Sequence, residues 1–308
     1  MALHSRQLIV PMRKYLMLLL VISSSLFAQK EGEYKIPYNL HNPHNRYSLK
    51  AELNEISGIS FVNKNVLACV QDEKGEVFFY DLNQRKCISS FSFHDDGDFE
   101  DIQVIGRKIY VLDSDGDIYK IKNYNNPEKM KVDKDETPLS IENNCEGLAY
   151  VPSWNALLIA CKGSASIRKK NNLDDYKAVY RYDLKKKKLL ESPVMLIDKN
   201  NLIDNTTLVK ETKASAKVDL LREMKSDLNF RPSAIAIHPF TGNVYILSFV
   251  GRLLTSYSPS GILLDIEYLD KKIFSQPEGM CFDEKGNLYI ANEANGLGAS
   301  ILSFEYLN

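Results

Sequence analysis

The sequence predicts an all-β fold, a five-bladed β-propeller, from three observations. A short apolar strand, a glycine-bearing turn and a second apolar strand recur along the chain. The matched positions 57, 100, 146, 233 and 278 are separated by 43, 46, 87 and 45 residues. Further strand patterns fill most of each interval, and a strand-only repeat of about 40–50 residues is typical of one propeller blade.

The clearest copy of the repeat begins at Gln276–Asp283, turns at Glu284–Asn287 and continues as Leu288–Glu293. Four strands are predicted for each of the first four blades and three for the last. In chain order the predicted strands are Ser57–Val62, Val66–Gln71, Glu76–Leu82, Cys87–Phe93, Glu100–Ile105, Lys108–Leu112, Asp117–Lys122, Met130–Val132, Glu146–Val151, Ala156–Cys161, Ala178–Leu184, Leu189–Ile197, Ser233–His238, Val244–Phe249, Leu253–Ser258, Ile262–Tyr268, Glu278–Phe282, Leu288–Asn292 and Ser300–Tyr306.

Two segments outside the repeat complete the predicted fold. Residues 46–53 alternate in the manner of a strand, and we expect this N-terminal strand to close the last blade. The long interval before the fourth copy leaves a surplus over residues 198–229. Val218, Leu221 and Met224 recur there at helical spacing, which predicts a short helix within an insertion. A sixth, degenerate blade in the same interval is the alternative.

The first 28 residues predict a secretory signal peptide. Arg13 and Lys14 precede the apolar run Leu16–Ile22, and Ala28 ends the segment. An uncleaved membrane anchor is the alternative, although the apolar run is short for crossing a bilayer. The predicted organisation is a signal peptide over 1–28, a lead-in segment over 29–45 and a propeller domain over 46–308. We therefore expect an exported protein, secreted or held in the periplasm or cell envelope, without membrane insertion after cleavage.

Charge and cysteine content limit the classes of partner. The formal net charge is -1, and it becomes -4 without the three basic residues of the leader, so no basic field is available for nucleic acid. We expect a monomer. The five cysteines show no metal-binding spacing. Cys145 and Cys161 are predicted to lie opposite each other in the third hairpin, either as a disulfide or as two free thiols.

The inner strands of a propeller begin at one mouth of its channel, and the sequence predicts that this mouth is acidic. The first inner-strand residues, which define the acidic mouth, are Ser57, Glu100, Glu146, Ser233 and Glu278. The second strands return to the same mouth and add Asp72, Asp113, Asn292 and Glu293. Oxygen-only donors suit Ca²⁺, so we expect a calcium site there. The alternative is structural: the three glutamates hydrogen-bond to backbone N–H groups of neighbouring inner strands.

Four motifs, Gly97–Ile102, Glu146–Tyr150, Arg231–Pro239 and Gln276–Met280, resemble the SdiA-regulated (YjiK-like) propeller family, which is distantly similar to NHL-repeat proteins. The resemblance extends over roughly residues 47–308. It implies a secreted or envelope protein with five blades and a calcium site, and it implies no established enzymatic activity. By this resemblance the glutamates of the acidic mouth are inner-strand acids, and Asp101 stands where the family usually has glycine.

Two functional hypotheses follow from the predicted acidic mouth. The first is a non-catalytic module that binds calcium and, at the same mouth, an unidentified ligand or protein partner. The second, by analogy with gluconolactonases and paraoxonases, is a calcium-dependent hydrolase of lactones, esters or phosphoesters, with Glu293, Glu73 or Asp113 as general base. The binding module is favoured because no nucleophile or histidine stands out in the sequence.

Overall fold

Five antiparallel sheets surround a central channel, which confirms the predicted five-bladed β-propeller. The computed structural model describes residues 34–167, 173–199, 202 and 230–307. Each inner strand contacts the inner strands of both neighbouring blades, so the ring is closed. The predicted helix within 214–224 and the predicted signal peptide lie outside the described residues.

Twenty-one strands are present in the described residues. In chain order they are β1 (Asn45–Ser48), β2 (Ile56–Asn63), β3 (Val66–Gln71), β4 (Lys74–Asp81), β5 (Lys86–Asp96), β6 (Phe99–Ile105), β7 (Lys108–Asp113), β8 (Ile118–Lys122), β9 (Lys131–Asp135), β10 (Cys145–Val151), β11 (Ala156–Cys161), β12 (Tyr176–Asp183), β13 (Lys188–Leu189), β14 (Met195–Asp198), β15 (Ala234–Ile237), β16 (Val244–Ser248), β17 (Leu253–Tyr257), β18 (Leu263–Tyr268), β19 (Pro277–Phe282), β20 (Leu288–Asn292) and β21 (Ser300–Phe304). Blades 1 to 4 are β2–β5, β6–β9, β10–β14 and β15–β18, and blade 5 is β19–β21 with β1.

The N-terminal strand closes the last blade, as predicted. β1 pairs antiparallel with β21, with Tyr47 opposite Ile301. The predicted strand over 46–53 is wrong in its second half, because a turn of 3₁₀-helix occupies Ala51–Leu53. The chain must leave the outer edge of blade 5 and enter the innermost strand of blade 1 within a few residues. Leu53 is fully buried at this turn, which anchors the change of direction.

The outer edge of blade 3 also differs from the prediction of one strand over Leu189–Ile197. Two short strands, β13 and β14, both pair with β12 and leave 190–194 between them. Pro193 lies in this interval, and proline has no N–H to donate to a strand ladder. The predicted single strand is therefore divided in two, because its hydrogen-bond ladder to β12 is interrupted at 190–194.

The hydrophobic core consists of apolar layers between neighbouring blades. The layer between blades 5 and 1, for example, combines Ile56 and Ile59 of β2 with Ile301 of β21. The described residues from Lys35 onward form one unit, in which residues 35–44 pack against the blades before β1 begins. The Tyr38 hydroxyl, for instance, donates to the Gly286 carbonyl at 2.7 Å. In the described part of the chain, no helix has the length and apolar character needed to span a membrane.

Candidate functional site

A β-bulge in the inner strand presents each acid of the mouth. Ile56 pairs with Gln71 and Gly58 with Val70, so Ser57 is the extra residue of β2. The same shift isolates the residue between Phe99 and Asp101, between Cys145 and Gly147, and between Pro277 and Gly279. Those extra residues are Glu100, Glu146 and Glu278. Because a bulge bends the strand and re-aims one side chain, its repetition turns equivalent residues toward one mouth.

In four blades, a backbone hydrogen bond joins the start of the inner strand to the end of the second strand. The N–H groups of Asp72, Ser114, Lys162 and Glu293 donate to the carbonyls of Glu55, Asp98, Asn144 and Gln276, respectively, over 2.8 to 3.2 Å. Each donor is the residue that follows a second strand, and each acceptor lies two positions before a bulged residue. This geometry brings Glu55 and Asp98 to the acidic mouth alongside Asp72 and Glu293.

Burial and neighbouring acids raise the pKa values of the three glutamates of the mouth. Burial, and then the charges of Glu146, Asp98 and Glu278, raise the pKa of Glu100 to about 10. Burial and the charge of Glu146 also raise the pKa of Glu278 to about 8. Burial likewise raises the pKa of Glu146. Like charges in a poorly solvated site either take up protons or require a cation.

Lys162 supplies a positive charge to this cluster. Its Nζ atom lies 2.8 Å from Oε1 of Glu146, and the Glu146 side chain is only 5% exposed. Burial alone lowers the pKa of Lys162, but the charges of Glu146, Glu278 and Glu100 outweigh burial and leave the pKa above its ordinary value. The lysine is therefore a tethered ammonium ion that neutralises part of the acidic mouth.

Acids from the second strands form the outer part of the mouth. Burial, followed by Glu55, Glu73 and Asp98, raises the pKa of Asp72 to about 6. Burial, followed by Glu55, raises the pKa of Glu293 to about 8. Sequence reasoning missed Glu55. Its signal is positional, because it lies two residues before Ser57, as Asp98 does before Glu100.

Several buried polar atoms of this region have no hydrogen-bonding partner among the described residues. They include Oε2 of Glu278, Oδ1 of Asp72 and both polar side-chain atoms of Asn292, which is fully buried. Buried polar groups are normally satisfied by other protein groups, by water or by a ligand. Within the described residues, no group of three or more His, Cys, Asp or Glu side chains is placed to hold a metal ion.

The two serines of the mouth and Asp113 are engaged in local structure. The Ser57 hydroxyl donates to the Phe99 carbonyl at 2.7 Å, and the Ser233 hydroxyl donates to the Pro277 carbonyl at 2.9 Å. Both bonds tie one inner strand to the next. Oδ1 of Asp113 accepts the N–H of Asp117 at 3.0 Å and caps its own turn. The oxygen atoms of these three side chains are therefore less available to a ligand than those of the glutamates.

Asp101 makes the backbone hydrogen bonds that the structural alternative assigned to the glutamates. Its carboxylate accepts the N–H of Leu148 in the neighbouring inner strand at 2.6 Å and its neighbour Ile102's N–H at 2.8 Å. The residue is almost fully buried, and burial raises its pKa well above the ordinary value. Asp101 thus fastens blade 2 to blade 3 and leaves Glu100 available to the mouth.

Comparison with solved structures supports the fold alone. A PQQ-bound aldose sugar dehydrogenase from Streptomyces coelicolor is 12% identical, with 86% of this chain and 97% of that chain covered and a TM-score of 0.51. Glutaminyl cyclase from Myxococcus xanthus is 8% identical over 86% of this chain and 95% of that chain, with a TM-score of 0.52. A gluconolactonase from Xanthomonas campestris is 10% identical over 81% and 71%, with a TM-score of 0.48.

The sequence comparisons identify the family. No curated protein sequence matches the chain significantly. The SdiA-regulated family model matches residues 42–297, which include four of the five blades in full and the acidic mouth. The resemblance noted from the four sequence motifs is confirmed, and the chain belongs to the SdiA-regulated family.

Proposed function

We propose that this protein is an exported propeller that binds a divalent cation, calcium, at the acidic mouth and presents that mouth to a ligand or protein partner. The observation that carries the proposal is the Oε2 atom of Glu278, which is buried near other acids and has no hydrogen-bonding partner in the part of the chain that the structure describes. An ionised carboxylate oxygen cannot remain buried without compensation. A bound cation supplies that compensation and makes ionisation of Glu278 favourable.

The available donors suit calcium better than zinc. They are carboxylate, amide and hydroxyl oxygens, whereas zinc prefers histidine and cysteine. The described residues contain no ready-made group of three or more acidic, histidine or cysteine side chains for a metal ion, so the proposal rests on a pair of carboxylates. Glu278 and Asp72 are the best supported pair, because each has an unpartnered buried oxygen and the two interact electrostatically. Water completes the shell, as it commonly does around calcium.

A second candidate function, a calcium-dependent hydrolase, is supported by Glu293. Burial and Glu55 place the pKa of Glu293 at about 8, close to the range in which a carboxylate works as a general base near neutral pH. Lactones, esters and phosphoesters are the substrate classes a cation would polarise. The binding function remains the first proposal because the described residues around the mouth include no histidine or serine arranged as a nucleophile and base.

Thermal unfolding with and without calcium tests the cation. At a calcium concentration about 100 times the Kd, one-site linkage stabilises the fold by about 2.7 kcal/mol, or roughly 5–10 °C in Tm. Glu278→Gln should abolish most of this shift. Glu284→Gln is the matched control, since Glu284 is exposed at the opposite end of the same β19–β20 hairpin. An unchanged Tm at saturating calcium, with no effect of chelator, would refute the cation.

Activity measurements separate the two functions. A lactone, an aryl ester and a phosphomonoester are assayed with calcium and with chelator, using wild type and Glu293→Gln. Calcium-dependent turnover that Glu293→Gln lowers at least tenfold supports the hydrolase. Absence of turnover for all three substrate classes, together with a calcium-dependent Tm, supports the binding module.

Export is tested by the N-terminal sequence of the protein recovered from cells. We propose cleavage after Ala28, because a basic segment, an apolar run and a small residue precede that bond. A chain beginning at Gln29 in the culture medium or the envelope fraction is the expected product. Full-length chain confined to the cytoplasm would contradict export without bearing on the calcium site.

A further inference from the structure

A pair of facing cysteines lies immediately below the acidic mouth. Cys145 begins β10 and Cys161 ends β11, and they are directly opposite in the ladder. The Lys162 N–H donates to the Asn144 carbonyl at 2.8 Å, which identifies Cys145 and Cys161 as a non-hydrogen-bonded pair. Side chains of such pairs approach most closely, with Cα atoms about 4.5 Å apart, and that separation is within the range of disulfides. The two Sγ atoms are 4.0 Å apart.

We propose that Cys145 and Cys161 are a disulfide site and that their bond forms while the chain folds. Two S–H bonds are lost and one S–S bond forms. The two electrons and two protons pass to an external disulfide, either of a thiol–disulfide oxidoreductase or of a small molecule, which becomes two thiols. The inference concerns the hairpin of blade 3, and it does not depend on whether the proposed calcium site exists.

Burial explains why the bond forms during folding and not afterwards. Both cysteines are fully buried. The turn at Gly116 of blade 2 covers them so closely that a Cβ atom built there would lie 3.1 Å from Sγ of Cys145. The hydrogen bond with the Cys161 thiol, followed by burial, also keeps the pKa of Cys145 well above its ordinary value, so little reactive thiolate exists in the folded protein. The external disulfide must therefore reach these sulfurs before blade 2 packs on blade 3.

The other three cysteines lack this arrangement. Cys69 faces Ile59 and Phe78 in its ladders, and Cys281 faces Tyr289. Cys87, which is only half-buried, faces Tyr80. No second pair of directly opposed cysteines occurs in the described strands. The proposal therefore predicts one specific bond and three free thiols.

The position of the pair connects it to the mouth. Glu146 follows Cys145 and Lys162 follows Cys161, and these next residues form the 2.8 Å ion pair. A covalent link between the preceding residues fixes the separation of the two strand ends that carry this pair. The disulfide would thus hold the base of the ion pair against thermal opening of the hairpin.

The test uses the spacing of tryptic sites. No lysine or arginine lies between Cys145 and Cys161, so both fall within the single tryptic peptide Asp135–Lys162. Fully reduced, denatured protein is refolded in a glutathione redox buffer, blocked with an alkylating reagent and digested. We expect this peptide to lack both alkyl groups and to be two hydrogens lighter than its reduced form. Cys69, Cys87 and Cys281 lie in separate peptides and should all be alkylated after denaturation.

Two further measurements complete the test. Folded, reduced protein exposed to the same glutathione buffer should remain reduced at least tenfold longer than protein that is refolding. Reductant should lower the Tm of the oxidised wild type by about 6–12 °C but leave Cys145→Ser/Cys161→Ser unchanged. Two alkylated cysteines in Asp135–Lys162 after oxidative refolding would overturn the disulfide. Equal oxidation rates for folded and refolding protein would overturn its formation during folding.

Discussion

Replacing Lys162 with methionine removes the ammonium group beside Glu146 while keeping an apolar chain of similar length. At the observed separation of 2.8 Å and an effective dielectric constant of about 20, the attraction between the two charges is about 6 kcal/mol. Two effects offset part of that loss. Glu146 can take up a proton, and the variant no longer incurs the free-energy cost of removing the lysine ammonium group from water. Removing one partner of a buried pair typically costs about 3–5 kcal/mol, and the 25% exposure of the Lys162 side chain favours the lower limit.

We therefore expect Lys162→Met to lose about 3 kcal/mol at pH 7 without calcium, which corresponds to a fall of roughly 6–12 °C in Tm. The difference from wild type should shrink as the pH is lowered and Glu146 takes up a proton. Calcium should restore most of the stability, because a divalent cation replaces the missing positive charge. The calcium-induced rise in Tm should then be larger for the variant than for wild type, since no ammonium group competes with the cation.

Lys187→Met provides the matched control for this measurement. The Lys187 Nζ atom lies at the same distance, 2.8 Å, from Oδ1 of Asp135, but half of the lysine side chain is exposed. Water screens such pairs, so the control should melt close to wild type with and without calcium. Equal Tm values for Lys162→Met and wild type at pH 7 in chelator would refute the reasoning. A calcium response unaffected by Lys162→Met would show that lysine and cation occupy separate places.

Three other variants test separate parts of the structure. Because burial raises the pKa of Glu278 to about 8, the stability that this group contributes is present below its unfolded pKa and is lost as the pH rises through 8. In chelator, Glu278→Gln should therefore remove this decline in Tm. An equal decline in the variant and in wild type would contradict the prediction. Because burial lowers the pKa of His238 to about 4, up to about 3 kcal/mol of the free energy of unfolding is lost as the pH falls from 6.5 through 4. Denaturant unfolding of His238→Asn should lack that loss. The same pH dependence in the variant and in wild type would count against this reasoning. Asp101→Ala should cost about 2–4 kcal/mol in denaturant unfolding by stranding the N–H groups of Leu148 and Ile102, whereas a cost below about 1 kcal/mol would argue against their role.

The ring of blades was predictable because its signals are local and repeated. Alternating apolar residues specify each strand, and glycines specify the turns: Gly286, for example, has a φ of +83° at the tip of the β19–β20 hairpin. A glycine follows three of the four bulged residues, and it has a tertiary cause. A Cβ atom at Gly58 would lie 2.6 Å from Cα of Asp101, and one at Gly147 would lie 2.8 Å from the Ile235 nitrogen. Close contact between inner strands therefore requires glycine at these positions, and the glycines can be recognised in the sequence.

The detailed chemistry of the mouth was less accessible to sequence reasoning. Strand position gave Asp113 and Asn292 the same status, since each ends a second strand. The structure separates them: Asp113 caps a turn through Asp117, whereas both polar side-chain atoms of the buried Asn292 have no hydrogen-bonding partner within the described residues. That difference depends on where neighbouring side chains turn, which a repeat pattern does not encode. Glu55 was missed because its place at the mouth follows from strand pairing, namely the bulge at Ser57 and the hydrogen bond from the Asp72 N–H to its carbonyl.

The acids of the mouth oppose folding at neutral pH, and this opposition is itself an argument about function. Glu100, Glu146 and Glu278 all have raised pKa values, so ionising them in the folded chain costs free energy that an unfolded chain would not lose. Lys162 offsets the charge of Glu146, but a single ammonium group cannot neutralise all three glutamates. Glutamines would fill the same space without the electrostatic cost. We therefore expect the stability of the protein to rise when the proposed cation binds at the mouth.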